Sequence, residues 1–172
     1  RIADMQLRYP FQVTAAQLNL LDSHDVARFL GLCGGDYDRW QAAFLYLCMA
    51  PGVPSVFYGD EKKVTGIRET EYRQGMPWDE NHADSEDFVK TVLRIRRDWI
   101  APADEWRAVY GGHDDRLVVF ERYGAHTVRV IIHMGEAPAD AERFMNGGQL
   151  LLLKGSVSHM LEKNGFAVLL MA

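Results

Sequence analysis

The sequence predicts an α/β plus all-β chain, with a parallel α/β portion over residues 1–102 and an antiparallel all-β domain over residues 103–172. Two observations predict the first portion. Short apolar runs alternate with helix-length periodic segments, and their order (strand, helix, strand, long loop, helix) is that of two βα units of a parallel sheet. A third observation predicts the second portion: from Glu105 onward, β-rich runs follow one another between Gly and Asn-Gly turn signals.

In chain order, the first strand is expected over residues 18–22. Asp36 then caps a helix whose apolar positions Trp40, Ala43, Phe44, Leu47 and Cys48 recur at i, i+3, i+4, i+7 and i+8. Pro51-Gly52 ends it, since proline cannot donate an amide hydrogen and glycine accepts positive φ. Residues 55–58 form a second short strand between Pro54 and Gly59, read as covered on both faces. The polar stretch over residues 59–83 is too long for a simple connection, and loops of that length inside compact domains tend to carry function. Asp84 or Ser85 caps a second helix with inward positions Phe88, Val92, Ile95 and Trp99. Its early acids Glu86 and Asp87 and late bases Arg94, Arg96 and Arg97 complement the helix dipole. Strands follow over residues 117–121, 127–133, 150–153 and 166–171. Tyr123-Gly124 joins the first two, and Asn146-Gly147 and Asn164-Gly165 favour hairpins. This portion is expected to be a β-sandwich of 70 residues with no helix of its own.

Composition narrows the function classes. With 48% hydrophobic and 25% charged residues, the 172-residue chain is an ordinary globular one, able to bury one good core or a core and a smaller second. No apolar run approaches the ~18 residues that cross a bilayer, so no membrane partner is expected. A net charge of -5 with dispersed Lys and Arg excludes a basic footprint for nucleic acid. Cys33 and Cys48 form no C-x-x-C pair, and Cys48 reads as a free buried thiol, pointing to a reducing, cytoplasmic setting. The opening Arg1-Ile2-Ala3-Asp4 has no initiator Met and no secretory core. It reads as a cut inside a longer protein, which leaves a signal peptide undecided. His113, His126, His133 and His159 fall in the β portion without metal-ligand spacing, and no metal site is expected.

The chemistry is concentrated in Asn19-Leu-Leu-Asp-Ser-His-Asp-Val-Ala-Arg-Phe29. A short apolar run leads directly into His24-Asp25, which places an imidazole and a carboxylate at the C-terminal end of a parallel strand. Active sites of α/β barrels are built at that edge. Out of context the pair also fits a local turn capping the next segment.

Three ordered segments carry a resemblance. Residues 19–29 resemble the fourth signature region of the α-amylase superfamily of glycoside hydrolases. Pro51-Gly-Val-Pro-Ser-Val-Phe-Tyr-Gly-Asp-Glu61 resembles its eighth barrel strand, and Tyr72-Arg-Gln-Gly-Met-Pro-Trp-Asp79 the loop that closes on substrate. The Leu-Leu-Asp-Ser-His-Asp wording and Leu32-Cys-Gly-Gly-Asp36 are most similar to neopullulanases, cyclomaltodextrinases and maltogenic amylases. The resemblance implies the last quarter of a TIM (β/α)8 barrel (strands seven and eight with their helices) followed by the C-terminal sandwich.

It also implies retaining hydrolysis of α-1,4, or additionally α-1,6, glucosidic bonds in maltooligosaccharides, cyclodextrins or pullulan. Such chemistry needs a nucleophile and an acid about 5–5.5 Å apart. In this family a third carboxylate grips the distorted sugar, and Asp25 matches it. His24 matches a histidine that hydrogen-bonds the same sugar, and Arg73 the loop arginine that holds the neighbouring one, with Glu69 as its acidic partner where the family has Asp. Lys62-Lys63 replaces the family's Ile-Gly. Glu61 is read as holding the loop by hydrogen bonds, Arg28 as ion-pairing at the strand end in a supporting rather than catalytic role, Trp78 as stacking on a sugar or packing, and Trp40 and Trp99 as core. The nucleophile and general acid belong to strands four and five, outside this chain, so the chain alone is expected to be inactive and its open sheet to self-associate as a homo-oligomer. No cofactor is implied here, while calcium is compatible with the rest of such a protein. The alternatives are a non-catalytic amylase-like binding or scaffold protein, and an independent sugar-binding or structural module.

Overall fold

The computed structural model describes residues 8–155 and 159–172. The opening residues, on which the reading of the chain's start rests, lie outside the described residues. After a short helix α1 (Phe11–Ala16), strand β1 (Leu18–Leu20) pairs in parallel with β2 (Val53–Ser55), in the register Leu18 to Val53 and Leu20 to Ser55. Helices α2 (Phe29–Leu32) and α3 (Tyr37–Met49) make the crossover between them.

Both strands differ from expectation. β1 stops at Leu20, two residues early, because Asp22 leaves the strand direction and accepts a hydrogen bond from the Phe29 amide at 2.8 Å. β2 begins earlier than residue 55: the Val53 amide donates to the Gln17 carbonyl at 2.8 Å, and residues 56–58 run past the end of β1, where no ladder partner remains. Gly52 makes the entry possible. Its φ is +103°, and a Cβ there would collide with Asn19. The pair is not covered on both faces, since Leu18, Leu20 and Val53 are exposed.

Asp36 caps α3 as expected, accepting from the Arg39 amide at 3.0 Å. The helix buries Trp40, Phe44, Leu45, Leu47, Cys48 and Met49, and burial pushes the Cys48 thiol up to about 12. A one-turn helix, α4 (Glu69–Tyr72), interrupts the long loop, and α5 (Ala83–Trp99) follows. Neither Asp84 nor Ser85 caps α5. Asn81 Oδ1 accepts from the Ala83 amide at 3.1 Å, Asp84 pairs with Lys63, and Ser85 accepts from the Tyr37 hydroxyl at 2.8 Å. Phe88, Val92 and Ile95 turn inward as predicted. Trp99 sits at the rim, edge-on to His126.

The remaining chain forms an antiparallel five-stranded sheet in the order β3-β4-β5-β9-β7: β3 (Glu105–Gly111), β4 (Leu117–Tyr123), β5 (Thr127–His133), β9 (Phe166–Met171) and β7 (Gly148–Lys154). A two-stranded ribbon of β6 (Ala139–Asp140) and β8 (Met160–Leu161), with the helical turn α6 (Glu142–Met145), covers its outer face over Leu117, Val119, Ile131 and Leu169. The arrangement is compatible with a sandwich whose second layer is narrow, and α6 corrects the expectation that this portion has no helix. Asn146-Gly147 joins α6 to β7, and Asn164-Gly165 lies between β8 and β9, which do not pair, so neither dipeptide makes a hairpin. The sheet's inner face, with Phe120, Val128, Val130, Phe166 and Val168, packs directly on Trp40, Phe44, Phe88 and Val92.

Arg122, fully buried, ties the portions together. It donates to the Ala50 carbonyl at 3.0 Å and the Asp104 carbonyl at 2.8 Å, and desolvation lowers its pKa to about 10. Arg96 donates to the same Ala50 carbonyl at 3.1 Å, so two guanidinium groups donate to the carbonyl end of α3. Among the described residues, no helix is long and apolar enough to cross a membrane.

Candidate active site

The chain turns sharply just past the C-terminal end of β1. Ser23 Oγ accepts from the Asp25 amide at 3.2 Å, and Ser23 and Val26 form an isolated bridge. This turn presents His24 and Asp25 outward, their side chains 71% and 66% exposed, with His24 Nε2 3.1 Å from Asp25 Oδ2.

Arg73, just beyond α4, reaches the same point. Its Nε donates to the His24 carbonyl at 2.9 Å, Nη2 lies 3.5 Å from Asp25 Oδ1, and Nη1 lies 3.2 Å from Glu69 Oε1. The four residues expected from the sequence therefore meet in one exposed cluster. Glu69 stands one helical turn before Arg73, close enough for its longer side chain to make the contact an Asp was expected to make. Exposed ion pairs of this kind contribute about 0–1 kcal/mol each, so the cluster can exchange partners with a ligand at small cost. Its carboxylates keep unused lone pairs and the guanidinium supplies fixed donors, a combination suited to neighbouring hydroxyl groups.

Helix α4 is fixed by Glu71, whose Oε2 accepts from the Ile67 and Arg68 amides at 3.0 and 3.1 Å. These bonds lower its pKa to about 2. The departure at Lys62-Lys63 also has a structural role. Lys62 Nζ lies 2.6 Å from Glu86 Oε1, and Lys63 Nζ 2.6 Å from Asp84 Oδ2 and 4.3 Å from the centre of the Tyr37 ring. Both lysines fasten the loop to the first turn of α5, and their hydrogen bonds hold Glu86 and Asp84 below the ordinary carboxylate range. Among the described residues this anchoring comes from Lys62 and Lys63 rather than from Glu61. Trp78 is 78% exposed and stands out from the loop.

A second cluster lies buried behind the first, and sequence reasoning found only its arginine. The Arg28 side chain is 0% exposed, with its guanidinium 4.0 Å from the centre of the Phe57 ring and 4.7 Å from that of Tyr58. Nη1 donates to the Tyr58 carbonyl at 2.6 Å and lies 3.7 Å from Asp60 Oδ1, while Nε donates to the Tyr72 carbonyl at 3.1 Å. Gly59, at φ +85°, lets the chain pass beside this group. Asp60 and Asp22 share the pocket. Burial, reinforced by the Asp22 charge, pushes Asp60 up to about 8, and burial likewise raises Asp22. A proton on Asp60 lets it donate to Asp22, whose Oδ1 has no other hydrogen-bond partner among the described residues. The available signal was an acid at the end of each apolar run, Asp22 after Leu20-Leu21 and Asp60 after Tyr58-Gly59, with Arg28 just beyond the first.

Elsewhere, a cleft of about 430 Å³ between α3 and the β portion is lined by residues including Phe29, Tyr46, His133 and Lys163, and none of the four site residues borders it. Among the described residues, no group of three or more His, Cys, Asp or Glu is placed to hold a metal ion.

Comparison with known proteins points the same way. A family model described as the alpha-amylase catalytic domain matches residues 3–129. The cyclomaltodextrinase of Geobacillus thermopakistaniensis (strain MAS1) is 35% identical over 136 residues, which is 77% of this chain and 23% of that protein. Neopullulanase 2 of Thermoactinomyces vulgaris is 36% identical over 93 residues, 53% of this chain and 16% of that protein. Among solved structures, the acarbose-soaked debranching enzyme of Nostoc punctiforme superposes with a TM-score of 0.82 at 25% identity, covering 99% of this chain and 37% of that one. The chain thus spans about a quarter or less of these two curated relatives.

Proposed function

The chain belongs to the alpha-amylase family, and from that premise we propose that it supplies the closing quarter of a (β/α)8 barrel in a retaining glycoside hydrolase of α-glucans. Residues 1–102 contribute strands seven and eight with their helices, and residues 103–172 the following β domain. The parallel β1–β2 pair supports this reading, with the His24-Asp25 turn at its C-terminal end, where barrel enzymes place their chemistry. So do the uncovered side chains of Leu18, Leu20 and Val53, which suit a sheet continued by further strands. The division at residue 102 is one of roles, since a single core runs across it.

The observation that carries the proposal is the convergence of Arg73 on Asp25, Glu69 and the His24 carbonyl. Asp25 accepts hydroxyl hydrogen bonds from the distorted sugar, and its negative charge stabilises the positive charge that develops at the anomeric centre. His24 hydrogen-bonds the same sugar, and Arg73 with Glu69 holds the neighbouring unit. The substrates are maltooligosaccharides, cyclodextrins or pullulan, and the names of the cyclomaltodextrinase and neopullulanase relatives support the last two. The nucleophile and general acid come from the fourth and fifth strands of the longer polypeptide, so the 172-residue chain by itself turns over no substrate.

Proton NMR of the first sugar released from maltotriose tests the reading. The full-length polypeptide should release the α-anomer, and the isolated chain should release nothing. A β-anomer would overturn the retaining mechanism, and turnover by the purified chain would overturn the division of carboxylates.

A further inference from the structure

Arg28 is three residues beyond Asp25 and makes no contact with solvent, yet its hydrogen bonds go to the long loop rather than to its own turn. Its backbone amide donates to the Gly66 carbonyl at 2.9 Å, and its side chain spans the Tyr58 carbonyl, where the loop departs, and the Tyr72 carbonyl. Tyr72 carries the peptide bond to Arg73. From that bond Arg73 reaches back to the His24 carbonyl and to Asp25. The path is closed: Asp25 to Arg28 along the chain, Arg28 to Tyr72 by a buried hydrogen bond, and Tyr72 to Arg73 and back to Asp25.

We propose that Arg28 is a positioning residue that places Arg73 over Asp25 by gripping the Tyr58 and Tyr72 carbonyls at once. The proposal rests on the reading of Arg73 as a substrate-binding residue. A planar guanidinium is needed because its donors diverge in a rigid fork. Stacking on Phe57 and Tyr58 fixes the plane of that fork, and an ammonium group has neither property. Other anchors of the loop, Lys62 and Lys63, act at its far side on α5 and leave the distance from Tyr72 to the Asp25 turn unset. Arg28 touches no substrate itself.

The test is a double-mutant cycle in the full-length polypeptide, read as KM for maltotriose. Arg73→Ala should raise KM about tenfold, the equivalent of one charge-assisted hydrogen bond. Arg28→Lys keeps the charge opposite Asp60 but frees the Tyr72 carbonyl, and it should raise KM by a similar factor. The double variant should remain about tenfold above wild type, because both changes remove the same contact. A double variant about a hundredfold weaker, or Arg28→Lys with an unchanged KM, would overturn the proposal. Arg73→Ala with unchanged KM would overturn it through its premise, and would show that the fault lies in the reading of Arg73. Should near-ultraviolet circular dichroism show Arg28→Lys unfolded, the cycle is run with Arg28→Gln/Asp60→Asn, which removes the buried cation together with the acid facing it and retains a donor. The same two outcomes apply to it.

Discussion

Replacing Asp60 by Asn should make the chain more stable above pH 8 while leaving it nearly unchanged near pH 4. Asp60 is buried beside Asp22, and its folded-state pKa of about 8 lies far above the ordinary 3.8. Between those values the unfolded chain has released the proton that the folded chain still holds. Unfolding is therefore accompanied by proton loss, and stability falls as pH rises from about 4 to about 8, then levels off. Over the full window such a displacement corresponds to on the order of 5 kcal/mol, and relaxation with water entry still leaves several kcal/mol at a buried site. Asparagine mimics the protonated acid, keeping a donor for Asp22 without a charge to desolvate. Asp22, also raised by burial, contributes a smaller slope of the same sign. Urea unfolding of the 172-residue chain at intervals from pH 4.5 to about 9 reads the effect directly. Wild-type stability that rises through this range, or an Asp60→Asn variant with the full wild-type slope, would refute the assignment of a buried protonated carboxyl.

Arg122→Met should destabilise the chain by about 3–5 kcal/mol, because it leaves the buried Ala50 and Asp104 carbonyls short of a donor. A thermal midpoint shifted by only a degree or two would show that Arg96 alone suffices there. The exposed side chains of Leu18, Leu20 and Val53 should drive self-association of the isolated chain. Sedimentation should report oligomers that Leu20→Lys disperses, and a monodisperse wild-type monomer at high concentration would contradict this.

The exposed cluster was legible in the sequence, and the buried one was not. His24, Asp25 and Arg73 belong to short segments whose wording resembles a known family, Glu69 stands where that family has an Asp, and the structure brings all four together. Asp22 and Asp60 lie in the quoted segments too, but the wording gives them no role. Their importance comes from burial beside Arg28, which exists only once the loop closes over the strand ends. The pair Lys62-Lys63 read as a departure, because its partners Glu86 and Asp84 lie on a helix about 20 residues later, beyond any local pattern. Strand β3 escaped notice because an edge strand with mostly exposed residues has weak alternation. The hairpins expected at Asn146-Gly147 and Asn164-Gly165 failed for a related reason: local turn chemistry chooses the bend, while strand pairing is decided by distant partners.

The central claim, that Asp25 stabilises the transition state, is tested most directly by kcat for maltotriose hydrolysis in full-length Asp25→Asn. A fall of about a hundredfold or more is expected. The thermal transition should be almost unchanged, since the carboxylate is 66% exposed and its ion pairs add little stability. A nearly normal kcat in the folded variant would contradict the claim.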